Sequence, residues 1–201
     1  NKFVVFFGVS DFNAALKSYL EISKRFGQFL QAFELISDVG MLFLEETKMF
    51  RSNIERSKSD WHVLIELGYN NSSVEEEVYE TLNNLFIKNI VSDVVVGDTE
   101  AKARNLWKIR EDIPEANRKI GAITSHDISL PLENMESFIN KSLIEIKEIN
   151  KLLRVNCFGH MGDGNLHFNI FPPHGEKNTS YLKIKSKLTD IINNNCKSLD
   201  G

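Results

Sequence analysis

The chain has 201 residues, of which 42% are hydrophobic and 26% charged, with a formal net charge of -4. This is enough for one sizeable core. It lacks the apolar run that a membrane-spanning helix needs, and the basic stripe expected of a nucleic-acid binder. Two cysteines, Cys157 and Cys196, form neither a CxxC motif nor a disulfide framework, which points to a reducing, cytoplasmic setting.

Lys2 to Val9 is rich in Val and Phe and reads as a buried strand. Ser10 can cap a helix from Asp11, with Gly27 as its stop. A strand through Ala32-Phe33-Glu34-Leu35-Ile36 precedes a short helix over 38–48, with one continuous helix as the rival. Met49 to Asp60 is polar and reads as a surface loop. A strand from Trp61 to Leu67 leads to a helix that Ser72 or Ser73 caps, running to about Lys88. Ile90 to Val96 is the next strand.

A helix then starts at Asp98 or Thr99 and carries Leu106, Trp107 and Ile109. Pro114 predicts a break or kink near Ile113, because proline lacks a donor and clashes with the preceding turn. Gly121 to Leu130 is extended, and Pro131 opens a helix reaching Leu153. Strands over 154–160 and 166–171 form a hairpin, and 177–198 is the last helix. This order suits an α+β fold, an antiparallel sheet backed by helices with ferredoxin-like character, and a doubled ferredoxin-like pattern fits it.

The hairpin is the most informative segment. Asp163-Gly164 is a favoured two-residue turn, which would set His160 directly opposite His167. Asn169 shares their face, while Val155, Cys157, Leu166, Phe168 and Ile170 face a core. Two imidazoles at that spacing can hold a divalent ion, but zinc sites use three or four protein ligands and no HExxH motif completes one. Hydrogen-bonded hairpin histidines without an ion are the simpler alternative.

The segment His160-Met161-Gly162-Asp163-Gly164-Asn165-Leu166-His167-Phe168-Asn169 resembles the signature of the C-terminal, cap domain of FAD-linked oxidases of the vanillyl-alcohol-oxidase type. That family includes D-2-hydroxyglutarate dehydrogenase, D-lactate dehydrogenase and the glycolate oxidase catalytic subunit. Ala32-Phe33-Glu34-Leu35, Leu106-Trp107-Lys108-Ile109-Arg110-Glu111 and His126-Asp127-Ile128-Ser129-Leu130-Pro131 extend the similarity over most of the chain.

The resemblance implies that residues 1–201 are a substrate-binding fragment of an FAD-dependent enzyme that oxidises a D-2-hydroxy acid to its 2-oxo acid. An FAD-binding domain would precede residue 1, and a Glu-His segment, holding the third metal ligand and a candidate general base, would follow residue 201. The fragment alone would be inactive. His160 and His167 would hold zinc or manganese, Arg110 would clamp the substrate carboxylate, and Asn169 would line the pocket. All three cationic or imidazole groups would serve catalysis.

Two departures stand out. Ser125 occupies the place of a family lysine, beside His126, and Pro114 replaces a small polar residue. Loss of the lysine opens the choice among lactate, glycolate, hydroxyglutarate and other 2-hydroxy acids, with His126 as a possible substitute contact. A non-catalytic small-molecule-binding module of ferredoxin-like build is the alternative function, and a metal-dependent hydrolase a third.

Overall fold

The computed structural model describes residues 2–49, 59–69 and 72–201, without the side chains of residues 72 and 73. The caps expected at Ser72 or Ser73 and most of the loop expected over 49–60 therefore lie outside the described residues.

Seven strands form one sheet in the order β4-β1-β3-β2-β6-β7-β5. They are β1 (Lys2–Val9), β2 (Leu30–Ser37), β3 (Trp61–Gly68), β4 (Ser92–Gly97), β5 (Thr124–Ser129), β6 (Arg154–His160) and β7 (Asn165–Phe171). Every neighbouring pair is antiparallel. Among the described residues six α-helices accompany them: α1 (Phe12–Phe26), α2 (Asp38–Glu46), α3 (Ser72–Ile87), α4 (Glu100–Ile120), α5 (Met135–Ile149) and α6 (Lys185–Ser198).

The chain order reveals a doubled ferredoxin-like plan. The first half, β1-α1-β2-β3-α3-β4, gives the spatial order β4-β1-β3-β2. The second half, β5-α5-β6-β7-α6, repeats the first five of those elements as β6-β7-β5. The halves join where β2 meets β6. α2 and α4 are the added helices, one inside the first half and one between the halves.

Strand alternation divides the apolar residues into two cores. On one face, Phe7, Leu35, Ile65, Cys157 and Phe168 pack beneath α1, α3, α5 and α6, which contribute Ile22, Val78, Phe138 and Ile192. On the other face, Phe6, Ile36, Leu64, Phe158 and Phe171 pack beneath α2 and α4, through Met41, Phe43, Leu106, Ile109 and Ile113. Each fully buried side chain of this size contributes about 1.5–3 kcal/mol. The second core is the smaller, and the polar residues considered below lie at its margin.

Several local expectations change. Asp11, not Ser10, caps α1, its carboxylate accepting the Ala14 N–H at 2.7 Å. Thr99 caps α4, which begins at Glu100. Pro131 precedes a 3-10 turn over Leu132–Asn134, and the α-helix begins only at Met135. The last helix likewise opens with a 3-10 stretch, Asn178–Ile184, before α6.

Of the break or kink expected near Ile113, the break does not occur: α4 runs on through Pro114 to Ile120. An interior proline costs a helix about 3 kcal/mol. Here tertiary contacts outweigh that cost. Ile113 and Ala116, on either side of the proline, are completely buried. Beyond it, the Asn117 side chain accepts an N–H from Asn156 of β6 at 2.8 Å. Before it, Trp107 and Arg110 are bound to carboxylates of the central strands.

Candidate functional site

The β6–β7 turn differs from the expected two-residue form. A 3-10 turn over Met161–Asp163 precedes Gly164, the only turn residue with positive φ, at 67°. A Cβ at Gly164 would lie 2.1 Å from the Leu130 carbonyl oxygen, so the position admits only glycine on two grounds. The longer turn slides the register by two residues. His167 is opposite Phe158, not His160. A shift of two preserves the face each residue occupies, so His160 and His167 still share a face, with ring centroids 6.3 Å apart. Asn169 shares it too, and Val155, Cys157, Leu166, Phe168 and Ile170 lie in the opposite core, as expected.

β2 completes the constellation. Glu34 is the register partner of His160 across the β2–β6 joint. Its side chain is only 2% exposed, an unusual place for a carboxylate unless it is paired. One oxygen lies 2.5 Å from His160 Nδ1, and the other accepts Arg110 Nε–H at 2.7 Å. Arg110 also stacks on Phe158, with its guanidinium carbon 4.7 Å from the ring centroid. The Phe158 ring in turn lies 4.8 Å from the His167 ring. Arg110 sits in the middle of α4, so a helix C-terminal dipole does not account for it.

His167 has its own carboxylate, with Nδ1 3.3 Å from Asp127 on the neighbouring β5. Burial holds its pKa below the ordinary imidazole value. Asp127 opposes that shift, while Arg110 and His160 add to it. Each imidazole thus has Nδ1 beside a carboxylate, the arrangement that directs Nε2 outward as a ligand or proton acceptor. Two imidazoles are fewer than the three or four protein ligands of a typical zinc site, so these residues supply at most part of one. Among the described residues, no group of three His, Cys, Asp or Glu forms a closed site.

Beside these groups opens a cavity of about 650 Å³, bordered by Arg110, Asn117, Arg118, Ser125, His167 and Asn169, with Pro114 and Phe158 in its wall. Pro114 has no N–H to return to the Arg110 carbonyl one turn earlier. Arg118 is exposed and makes a two-pronged pair with Glu115, both contacts at 2.7 Å. His126 borders the cavity, but the expected role as a substrate contact does not suit its geometry. It pairs with Phe168 in the β5–β7 ladder, so alternation carries its ring to the opposite face. Its Nε2 is buried there without a hydrogen-bond partner, and burial lowers its pKa. Ser125 and Asp127 are the β5 residues that face the cavity side.

The sequence reading had missed Glu34, Asp127, Asn117 and Arg118 as members of this site. A signal for Glu34 existed: it is the one charged residue in the apolar run Ala32-Phe33-Glu34-Leu35-Ile36.

The chain belongs to the family "FAD linked oxidases, C-terminal domain", whose profile matches residues 1–193. It is 33% identical over 177 residues to a protein of Schizosaccharomyces pombe provisionally named a mitochondrial D-lactate dehydrogenase, covering 83% of this chain and 34% of that protein. It is 32% identical over 170 residues to the mitochondrial D-2-hydroxyglutarate dehydrogenase of Arabidopsis thaliana, covering 83% of this chain and 30% of that protein. The chain thus spans about a third of the length of the curated relatives it matches.

Among solved structures it resembles p-cresol methylhydroxylase, with a TM-score of 0.59 and 9% identity, over 97% of this chain and 42% of that one. It also resembles alkyldihydroxyacetonephosphate synthase, with a TM-score of 0.60 and 11% identity, over 96% of this chain and 39% of that one. Those likenesses establish the fold. The cytoplasmic expectation is overturned, since the yeast, plant and animal relatives are named as mitochondrial. Two unpaired cysteines do not distinguish one compartment from another.

Proposed function

We propose that this chain forms the substrate-binding face of an FAD-dependent dehydrogenase that oxidises a D-2-hydroxy acid to its 2-oxo acid. The observation that carries this reading is Arg110, a guanidinium held by buried Glu34 at the wall of a cavity that His167 and Asn169 also border. Glu34 occupies the Nε edge of the guanidinium and leaves its terminal amino groups for a carboxylate. Phe158 behind the guanidinium excludes water from one side and strengthens its field. Asn169 and Ser125 offer uncharged polar groups to the same ligand.

His160 and His167 are the residues that would hold a divalent ion, through the Nε2 atoms directed away from their carboxylate partners. When bound, the flavin supplies the acceptor for the C2 hydrogen as hydride, and the ion supplies Lewis acidity at the hydroxyl oxygen. The FAD-binding part of the enzyme is another portion of the same protein in this reading. Names among the relatives support both D-lactate and D-2-hydroxyglutarate as substrates to try first.

The test uses the full-length protein with bound FAD and dye reduction as the readout. Arg110→Ala is expected to lower kcat/KM for 2-hydroxy acids by about a hundredfold or more, since a buried charge-assisted contact is lost. Equal efficiency with and without Arg110, or no turnover of any D-2-hydroxy acid by the wild type, overturns the reading.

A further inference from the structure

We propose that Glu34 is a positioning residue that locks the arginine clamp and His160 into one fixed relation, with one carboxylate oxygen committed to each. This rests on the reading of the cavity as a 2-hydroxy-acid site.

Arg110 comes from α4 and His160 from β6, and Glu34 of β2 touches both. Its backbone is paired on both sides, with Leu64 of β3 and His160 of β6, so it has little latitude to move. The 2% exposure of its side chain leaves no room for water to compete for either oxygen. Among the described residues, no other carboxylate contacts Arg110 or His160.

A carboxylate can only accept. His160 Nδ1 must therefore carry the hydrogen, which in the neutral ring leaves the lone pair on Nε2, on the far side of the ring. The same carboxylate holds the Nε edge of Arg110, so the free edge of the guanidinium is aimed by the group that selects the histidine tautomer. Removing Glu34 would leave Arg110 with a stacked ring but no counter-charge, and would leave His160 free to rotate and change tautomer.

The experiment compares wild-type full-length protein with Glu34→Gln, using histidine labelled with nitrogen-15 in the ring. A His160→Asn variant assigns the His160 signals. In the wild type His160 is expected as the Nδ1–H tautomer. In Glu34→Gln that tautomer is expected to lose its dominance. Mn²⁺ affinity, measured by calorimetry, should fall about 10–100-fold, the usual penalty for losing a partner of a metal-binding histidine. The KM for the 2-hydroxy acid should rise as kcat falls. With its oxygen on Arg110, the introduced amide presents an N–H to His160, whose Nδ1 can then only accept, with the ring hydrogen on Nε2. An unchanged His160 tautomer together with unchanged Mn²⁺ affinity overturns the proposal.

If the lone guanidinium prevents Glu34→Gln from folding, the double variant Glu34→Leu/Arg110→Met removes both charges and the acceptor that Glu34 offers His160, and reports the same tautomer. A His160 that keeps Nδ1–H there sinks the idea, and a redistributed tautomer upholds it. Should the wild type oxidise no 2-hydroxy acid while the tautomer still depends on Glu34, the functional reading falls and the positioning role stands.

Discussion

Trp107 donates its indole N–H to Glu66 at 2.6 Å, one helical turn before Arg110 reaches Glu34. Both carboxylates stand on central strands and both donors stand on one side of α4, so the helix is fastened to the sheet at two successive turns. Trp107→Phe keeps the ring but leaves the nearly buried Glu66 with only Lys2 as its ion-pair partner. It should lower stability by about 1–3 kcal/mol, the cost of an under-satisfied buried acceptor. Urea unfolding of the full-length protein measures this, and an unaltered midpoint and slope would show that the indole bond contributes nothing.

Gly164 predicts a second loss. An L-residue in left-handed backbone costs about 1–2 kcal/mol, and a Cβ here also meets the Leu130 carbonyl oxygen. Gly164→Ala should therefore reduce thermal stability and loosen the turn that orients His160 and His167. Gly162 is the control position: a Cβ there meets the Tyr19 side chain at 3.5 Å, an ordinary van der Waals contact.

Acid should weaken the fold in a defined window. His126 and His167 both have folded-state pKa values lowered by burial. As pH falls through the ordinary imidazole value of about 6.5, the unfolded chain takes up protons before the folded one does. Stability supplied by the neutral rings is thus fully present above that pH and declines below it, until the folded state also protonates. Melting temperature followed from pH 8 to pH 5 should fall on the acidic side, and His126→Asn should shrink that fall. A pH-independent melting temperature would rule out a contribution from these rings.

Arg118 bears on substrate choice. It borders the same cavity as Arg110, about two turns further along α4, and its partner Glu115 is well exposed to solvent. Such exposed pairs are weak enough for a second anionic group to displace the partner. Arg118→Gln should raise the KM for D-2-hydroxyglutarate several-fold and leave that for D-lactate unchanged. Equal effects on both substrates would exclude a role in reading the distal group.

Much of this architecture could be read from the chain because period-two alternation is robust. The faces of β6 and β7 were legible even though the turn was not, since a slip of two residues leaves every side chain on its side. The histidine pairing partner depended on turn geometry, and Gly164 was contacted by the distant Leu130. Pro114 misled for a related reason: helix propensity is a local preference, whereas α4 is held by residues on β2, β3 and β6. His126 shows the limit of adjacency in sequence, because its neighbours Ser125 and Asp127 face the cavity while it faces away. Glu34 was visible as a charge within an apolar strand, but its partners lie 76 and 126 residues away, beyond any local pattern.

The joint between β2 and β6 has a mechanical meaning. It is where the two halves of the duplicated plan abut, and Glu34 and His160 face each other across that seam. Both apolar cores cross that seam, Leu35 and Cys157 belonging to one and Ile36 and Phe158 to the other, so a tilt of one half against the other would strain the packing and the Glu34–His160 contact together.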